Sequence, residues 1–149
     1  MELLLIAGAV LMVLAPLSNF FPSKRQRRQA SLRQAAAQAG LFVEFRGLPG
    51  GELPADPGAG EVIYYGLRLA AAQGRRQRRQ AWLCRGGQWL PLPAAGAPPD
   101  LLRAAPEGVL AASVDEGSCG LYWQEQGDAA MVQAMGLLLR QWREALVGT

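Results

Sequence analysis

The pattern of hydrophobic and polar residues divides this chain of 149 residues into three parts. The first part, residues 3–21, contains no charged side chain, and Ser18 and Asn19 are its strongly polar residues. A helix of these nineteen residues would extend roughly 28 Å, close to the ~30 Å hydrocarbon thickness of a bilayer. Because a backbone in lipid must satisfy its own hydrogen bonds, the pattern predicts an N-terminal transmembrane helix, a single-pass anchor at residues 1–22.

Two other interpretations of this stretch are a cleaved signal peptide and a buried helix of a globular domain. A signal peptide carries positive charge before its apolar run and small residues at its cleavage site. Here Glu2 precedes the run, and the run ends with Ser-Asn-Phe-Phe-Pro at residues 18–22. A buried helix is usually shorter or visibly amphipathic. An uncleaved anchor therefore fits the pattern better than either alternative.

The second part, residues 23–40, combines a basic start with the composition of a helix. Ser23 is a residue type that caps helix N-termini, the interior is rich in alanine, and Gly40 stands where a left-handed C-cap belongs. The basic residues that follow the apolar stretch are Lys24, Arg25, Arg27 and Arg28. We predict a basic juxtamembrane helix, and the positive-inside rule then leaves the N-terminus outside and puts residues 22–149 in the cytoplasm.

The third part begins at residue 41, where the hydrophobic period falls to two, as in half-buried strands. A loop rich in Gly and Pro covers residues 47–60, and residues 93–108 form an irregular connection with room for one helical turn. The predicted strands are residues 41–46, 62–69, 81–85, 89–92, 109–114 and 119–124. Ile63, Tyr65, Leu67 and Leu69 fall on one face of the second strand.

The chain ends in its clearest amphipathic helix, predicted at residues 128–147. Its apolar side consists of Met131, Met135, Leu138, Leu139, Trp142 and Leu146. The fold class is therefore α+β: a transmembrane helix, a basic linker helix, and a small antiparallel sheet of four to six strands covered by the C-terminal helix. We assign residues 41–149 to one cytoplasmic domain.

Charge is distributed unevenly along the chain. Residues 23–85 carry a balance of +8, and residues 86–149 carry −4. The hexapeptide Arg-Gln-Arg-Arg-Gln-Ala occurs twice, at residues 25–30 and at residues 76–81. The second copy, with Arg75, lies between two predicted strands, where we expect a hairpin tip. Four guanidinium groups on one short loop repel each other, so they face water in a solvated turn or contact an anionic partner.

Both copies of the repeat therefore provide candidate contacts for anionic lipid or nucleic acid. Arginine binds phosphate bidentately, and each basic residue near an anionic leaflet contributes roughly 1 kcal/mol of attraction. The candidate residues are Lys24, Arg25, Arg27, Arg28, Arg75, Arg76, Arg78 and Arg79.

Residue types that carry catalysis are scarce. The chain has no histidine, the commonest general base and metal ligand, and Cys84 and Cys119 are too far apart for a zinc or redox motif. Residues 47–60 lack the lysine and the helix start of a phosphate-binding loop. Glu125 and Asp128 fit a turn and a helix start. We therefore expect no enzyme, no catalytic or metal-ligating residue and no cofactor.

A resemblance can be drawn from three segments. They are Phe-Phe-Pro-Ser at residues 20–23, Lys-Arg-Gln-Arg-Arg at 24–28 and Gly-Leu-Phe-Val at 40–43. The chain resembles small single-pass inner-membrane proteins of proteobacteria, loosely YajC-like, after the accessory subunit of the preprotein translocase. The likeness to YajC covers the anchor and its basic flank. The layout is also similar to that of ZipA, the division protein, without its long linker. The resemblance implies a bacterial inner membrane.

Two functions fit these features. The first is a non-catalytic, membrane-anchored adaptor or accessory subunit, whose sheet domain docks on a protein partner in an inner-membrane complex while the basic segments face anionic lipid. The alternative is a membrane-tethered RNA- or ribosome-binding module. In that case the arginines would contact phosphate, and nearby aromatic rings would stack on bases. The candidate stacking residues are Tyr64, Tyr65, Trp82 and Trp89. No ribonucleoprotein-type motif accompanies them, so we expect most of them in the sheet core.

Overall fold

The computed structural model describes residues 1–17 and 21–148. The chain forms two compact units, Met1–Ala30 and Ser31–Thr149. The first unit holds α1 (Glu2–Leu17) and the start of α2 (Lys24–Gln38). The second holds the rest of α2, a six-stranded sheet, the short helix α3 (Ala71–Gly74) and α4 (Ala129–Val147). The strands are β1 (Phe42–Phe45), β2 (Ile63–Arg68), β3 (Gln80–Arg85), β4 (Gln88–Pro91), β5 (Ala111–Val114) and β6 (Ser118–Trp123).

The predicted transmembrane helix is wrong. Across residues 1–17 and 21–148, no helix combines the length and the apolar character needed to cross a membrane. The apolar helix α1 has 16 residues, about 24 Å of rise, whereas a span needs roughly 20 apolar residues. Residues 18–20, which the predicted anchor included, lie outside the described residues. The single-pass membrane class is withdrawn with the helix, while the location at a bacterial inner membrane stays a prediction.

The basic helix predicted at residues 23–40 forms as α2. The Ser23 hydroxyl accepts a hydrogen bond from the Gln26 amide at 3.2 Å, and the Gln26 side chain accepts one from the Ser23 amide at 2.9 Å. This reciprocal pair satisfies two amides at the start of the helix, where no intrahelical partner exists. Gly40 follows the helix with a φ of 78°, the left-handed conformation that glycine adopts at a C-cap.

The six strands form one antiparallel sheet with the order β1-β2-β6-β5-β3-β4. An antiparallel sheet followed by a C-terminal helix was predicted, and both are confirmed. The hairpin tip predicted around the second arginine repeat is wrong, because β2 pairs with β1 and β6 whereas β3 pairs with β4 and β5. The segment between β2 and β3 instead crosses over the β5–β6 pair, and it contains α3.

One face of the sheet, which we call the helix face, packs against α4 and the second half of α2. Ile63, Tyr65 and Leu67 lie on this face, as predicted, and all three are buried. The rings of Trp82 on β3 and Trp142 on α4 have centroids 5.9 Å apart. The fully or nearly buried α4 residues are Val132, Met135, Leu138, Leu139 and Trp142. Helix and sheet therefore share one apolar core.

An ion pair between the half-buried Arg33 and the buried Glu125 connects α2 to the residues after β6. Glu125 is 2% exposed, and Arg33 donates to its two carboxylate oxygens at 3.2 and 2.9 Å. The hydrogen bond to Glu125 raises the pKa of Arg33. The Tyr65 hydroxyl donates to the same carboxylate at 2.6 Å, and burial, followed by that contact, raises the pKa of Tyr65. Glu125 therefore acts as a structural anchor, which its expected place in a turn did not indicate.

Replacing Arg33→Met should lower the free energy of unfolding by about 2–3 kcal/mol, because the buried Glu125 carboxylate loses its cation. Urea unfolding of the full chain, followed by tryptophan fluorescence, measures the change. The matched control is Arg103→Met, since Arg103 pairs with Asp100 through side chains that are 83% and 90% exposed. That pair should contribute less than about 0.5 kcal/mol. If both variants lost the same free energy of unfolding, the Arg33–Glu125 pair would contribute no more stability than an exposed ion pair.

Candidate functional site

The face of the sheet turned away from α4, which we call the far face, is built around two glycines. Gly66 on β2 and Gly120 on β6 are direct partners in the sheet register. A Cβ atom on Gly120 would lie 2.3 Å from Cζ of Tyr64, and one on Gly66 would lie 2.5 Å from its Cε1. The ring of Tyr64 therefore lies across both glycines, a site where a strand needs close approach and no side chain.

Tyr64 in turn supports an arginine. The guanidinium carbon of Arg46 lies 4.1 Å from the centroid of the Tyr64 ring, within the range of a cation–π contact. Nε of Arg46 donates to Glu44 at 2.6 Å, and a terminal nitrogen of Arg46 lies 3.9 Å from Asp115. Burial raises the pKa of Tyr64, so the ring stays neutral beneath the cation. Arg46 is thus held in one place by three neighbours.

Two buried hydroxyl groups lie beside this arginine. Ser113 on β5 and Tyr122 on β6 are 7% and 5% exposed, and their oxygens are 3.0 Å apart. Each hydroxyl has one proton, and one of the two protons is used within the pair. The Arg46 guanidinium also donates toward the Tyr122 hydroxyl, and among residues 1–17 and 21–148 no group accepts a proton from either oxygen outside the pair. One hydroxyl proton is therefore free to be donated outside the pair.

These groups line a cavity of about 540 Å³, which we call the far-face cavity. Its volume lies in the range of small-molecule sites, about 300–1,000 Å³. Its rim includes the segment of residues 47–51, in which Gly50 and Gly51 have positive φ angles of 76° and 72°. The polar groups around it are Arg46, Arg79, Ser113, Asp115 and Tyr122.

The second arginine repeat lines an adjoining cavity of about 700 Å³, which we call the loop cavity. Its lining residues are Arg75, Arg76, Gln77, Arg78, Arg79, Asp115 and Glu116. All four arginines are exposed. Within the described part of the chain, none of their side chains forms an ion pair. Arg79 and Asp115 belong to both cavities, so the two cavities are continuous in their lining.

The turn between β5 and β6 holds in place the segment of residues 75–79, which we call the arginine loop. A Cβ atom on Gly74, at the end of α3, would lie 1.7 Å from the carbonyl oxygen of Glu116. The amide of Leu69 donates to the carbonyl of Gly117 at 2.9 Å. The sheet order brings this turn to the crossover, since β6 pairs with β2 and β5 pairs with β3. Gly74 thus allows the backbones to meet, and the loop begins from a fixed point.

The first arginine repeat lies in the other unit. Lys24, Arg25, Arg27 and Arg28 are exposed residues at the start of α2. The structure thus brings together four of the eight predicted contact residues, Arg75, Arg76, Arg78 and Arg79, around one cavity. The other four form a basic helical segment of their own unit.

The aromatic residues considered as stacking platforms are mostly core. Tyr64, Tyr65 and Trp82 are 0%, 0% and 2% exposed, and Trp89 is half-buried against the helix-face core. Stacking of bases on the first three rings is therefore blocked by the fold.

Sequence reasoning missed three residues of the far-face cavity: Arg46, Ser113 and Tyr122. A signal was present in the alternation of residues 119–124, which puts Gly120 and Tyr122 on the face opposite the apolar Leu121. A polar and glycine-bearing face in the middle of a sheet departs from a simple apolar core.

Neither metal nor thiol chemistry emerges from the described part of the chain. Residues 1–17 and 21–148 contain no group of three His, Cys, Asp or Glu side chains placed to hold a metal ion. Cys119 on β6 is fully buried, and burial raises the pKa of its thiol to about 12. Cys84 on β3 is half-buried, and burial raises the pKa of its thiol as well. Both thiols are thus kept neutral at ordinary pH. That the chain is not an enzyme stays a prediction.

No protein-family model, no curated protein and no solved structure matches this chain. The resemblance to YajC-like inner-membrane proteins therefore stays a prediction, and the function must be argued from the residues of the site.

Replacing Gly120→Ala should lower the free energy of unfolding by about 1–3 kcal/mol, because the added methyl group must displace the Tyr64 ring. The matched control is Gly47→Ala, where a Cβ atom would meet nothing within 4 Å. Thermal unfolding of both variants, with the unchanged chain, measures the difference. If the two variants were equally stable, the close contact of Tyr64 with Gly120 would not hold in solution.

Proposed function

We propose that this chain is a non-catalytic adaptor domain that binds anionic lipid surfaces through the arginine loop, residues 75–79. The loop presents guanidinium groups to the phosphate groups of the lipid headgroups. That the domain also docks on a protein partner in an inner-membrane complex stays the prediction made from the sequence.

The observation that carries the proposal is the set of four exposed arginines around the loop cavity. Their side chains form no ion pair within the described residues, although Asp115 and Glu116 line the same cavity. Guanidinium groups without partners repel each other, and an anionic surface relieves that repulsion. Arginine suits phosphate in particular, since its planar group can donate two parallel hydrogen bonds.

The expected strength of this contact follows from the number of charges. Each basic residue near an anionic leaflet contributes roughly 1 kcal/mol, so four arginines provide about 4 kcal/mol. Exposed charges are screened by salt over a Debye length of about 8 Å at physiological ionic strength. Binding should therefore depend on the fraction of anionic lipid and fall as salt rises.

The variant that tests this contact replaces four arginines by glutamine: Arg75→Gln, Arg76→Gln, Arg78→Gln and Arg79→Gln. We expect it to reduce binding to phosphatidylcholine vesicles containing phosphatidylglycerol by roughly a hundredfold or more, given about 1 kcal/mol for each lost charge. Vesicle flotation with the full chain, over a series of salt concentrations, measures the binding. Vesicles of phosphatidylcholine alone give the background.

The chain provides its own matched control in the first copy of the repeat. Replacing Lys24, Arg25, Arg27 and Arg28 by glutamine removes the same number of charges from α2. If the number of positive charges alone sets the affinity for vesicles, the two variants lose the same amount of binding. If the arginine loop is the contact site, the variant of the loop loses more binding than the variant of α2. Vesicle binding that survives in the loop variant would overturn the proposal. Binding of single-stranded RNA at moderate salt that the loop variant abolishes, without any vesicle binding, would point to the RNA alternative.

A further inference from the structure

The far-face cavity is a site that the arginine loop does not by itself account for. It lies on the sheet beside the loop cavity, and it shares only Arg79 and Asp115 with that cavity. Its walls come from four parts of the chain: the end of β1, the segment of residues 47–51, the start of β3 with Arg79 and Ala81, and the β5–β6 pair. A volume of about 540 Å³ is more than a single ion requires and suits a small organic ligand.

The chemistry of the cavity is that of a site for an anion. Arg46 is held by its cation–π contact with Tyr64 and by its hydrogen bond to Glu44, so little side-chain freedom remains to be lost on binding. Arg79 is exposed and its side chain has no ion pair within the described residues. Two guanidinium groups thus border the same space, one from the residue after β1 and one from the residue before β3.

The hydroxyl pair adds a neutral donor to these charges. Ser113 and Tyr122 are both more than nine-tenths buried and both line the cavity. Their mutual hydrogen bond uses one of their two protons, and no described residue accepts the other. This spare proton has no protein acceptor, and an oxygen of a ligand in the cavity would accept it.

The carboxylate of Asp115, which also lines the cavity, does not make the cavity unsuitable for an anion. One oxygen of Asp115 accepts hydrogen bonds from the amides of Gly117 and Ser118 at 2.8 and 3.0 Å. The other oxygen lies 3.9 Å from Arg46. Asp115 is therefore engaged by the β5–β6 turn and by one arginine. The charged residues of the lining, Arg46, Arg79 and Asp115, carry a balance of +1, while Glu44, which pairs with Arg46, lies outside the lining.

We propose that the far-face cavity binds the phosphate group of a phosphate monoester, with Arg46 and Arg79 as its cationic ligands and the Ser113–Tyr122 pair as a hydroxyl donor. A phosphate monoester carries a charge of about −1.5 to −2 at neutral pH and three acceptor oxygens, which two guanidiniums and one hydroxyl can match. This inference rests on the proposed function, because a phosphate monoester is the headgroup that phosphatidic acid would expose at an anionic lipid surface.

Isothermal titration calorimetry of the full chain at fixed ionic strength tests the inference, with glycerol phosphate and inorganic phosphate as separate probes. We expect saturable binding of glycerol phosphate, weakened about tenfold or more by Arg79→Gln and several-fold by Tyr122→Phe, since these remove a charged and a neutral hydrogen bond respectively. Arg46→Gln should act like Arg79→Gln, but Arg46 also packs on Tyr64. Arg79 and Tyr122 therefore carry the test even if Arg46→Gln fails to fold.

The control variant is Arg103→Gln, which removes an exposed charge that does not line the cavity and should leave the affinity unchanged. Tighter binding of glycerol phosphate than of inorganic phosphate identifies a phosphate monoester, such as the headgroup of phosphatidic acid, as the occupant. Equal binding identifies the free phosphate ion as a sufficient ligand of the same site. No saturable binding of either probe, or equal losses in the Arg79 and Arg103 variants, would overturn the inference.

The two proposals fail in different ways. Vesicle binding without any binding of glycerol phosphate would leave the adaptor proposal standing and remove the far-face site. Binding of glycerol phosphate that depends on Arg79 and Tyr122, without vesicle binding, would retain the site and remove the lipid adaptor.

Discussion

The contact of Tyr64 with two glycines is the constraint on which the far face depends. Because Gly66 and Gly120 have no side chains, the Tyr64 ring lies on the centre of the sheet and is fully buried. Arg46 then stacks on the ring at 4.1 Å and is fixed at the edge of a cavity. A side chain at either glycine would displace the ring and, with it, the arginine. The position of the Arg46 guanidinium therefore depends on Gly66 and Gly120 having no side chains.

A second constraint is the strand order. Since β6 pairs with β2 and β5 pairs with β3, the β5–β6 turn lies beside the crossover between β2 and β3. Gly74 allows that crossover to touch the carbonyl of Glu116, and the arginine loop follows directly. The far-face cavity and the loop cavity are therefore neighbours for a topological reason, and Arg79 contributes to both. On the opposite side of the sheet, the buried Glu125 and the half-buried Arg33 hold α2 without taking part in either cavity.

The sequence predicted local features well and non-local ones poorly. The strands, α2 and α4 follow from periodicity and capping residues, because these signals act within a few residues. The predicted N-terminal transmembrane helix is wrong because the composition of residues 3–21 does not show where α1 ends. The prediction of a hairpin tip at the second arginine repeat is wrong because tertiary packing, and not local sequence, sets the order of the strands. The strand register brings together Arg46, Ser113 and Tyr122, of which Arg46 lies far from the other two in the sequence. No local sequence motif therefore identifies the three as one site. Glu125 was missed for the same reason, since its partner is 92 residues away.

Amide chemical-shift mapping by nuclear magnetic resonance, during titration of the full chain with glycerol phosphate, tests most directly whether the far face is an anion site. We expect the largest saturable shifts at the amides of residues 47, 48, 50 and 51 and at those of Ala81 and Ser113, all of which line the cavity. The same titration of the Arg79→Gln variant should need a higher ligand concentration to reach the same shifts. Shifts confined to α2 or α4, or shifts that never saturate, would contradict a phosphate site on this face of the sheet.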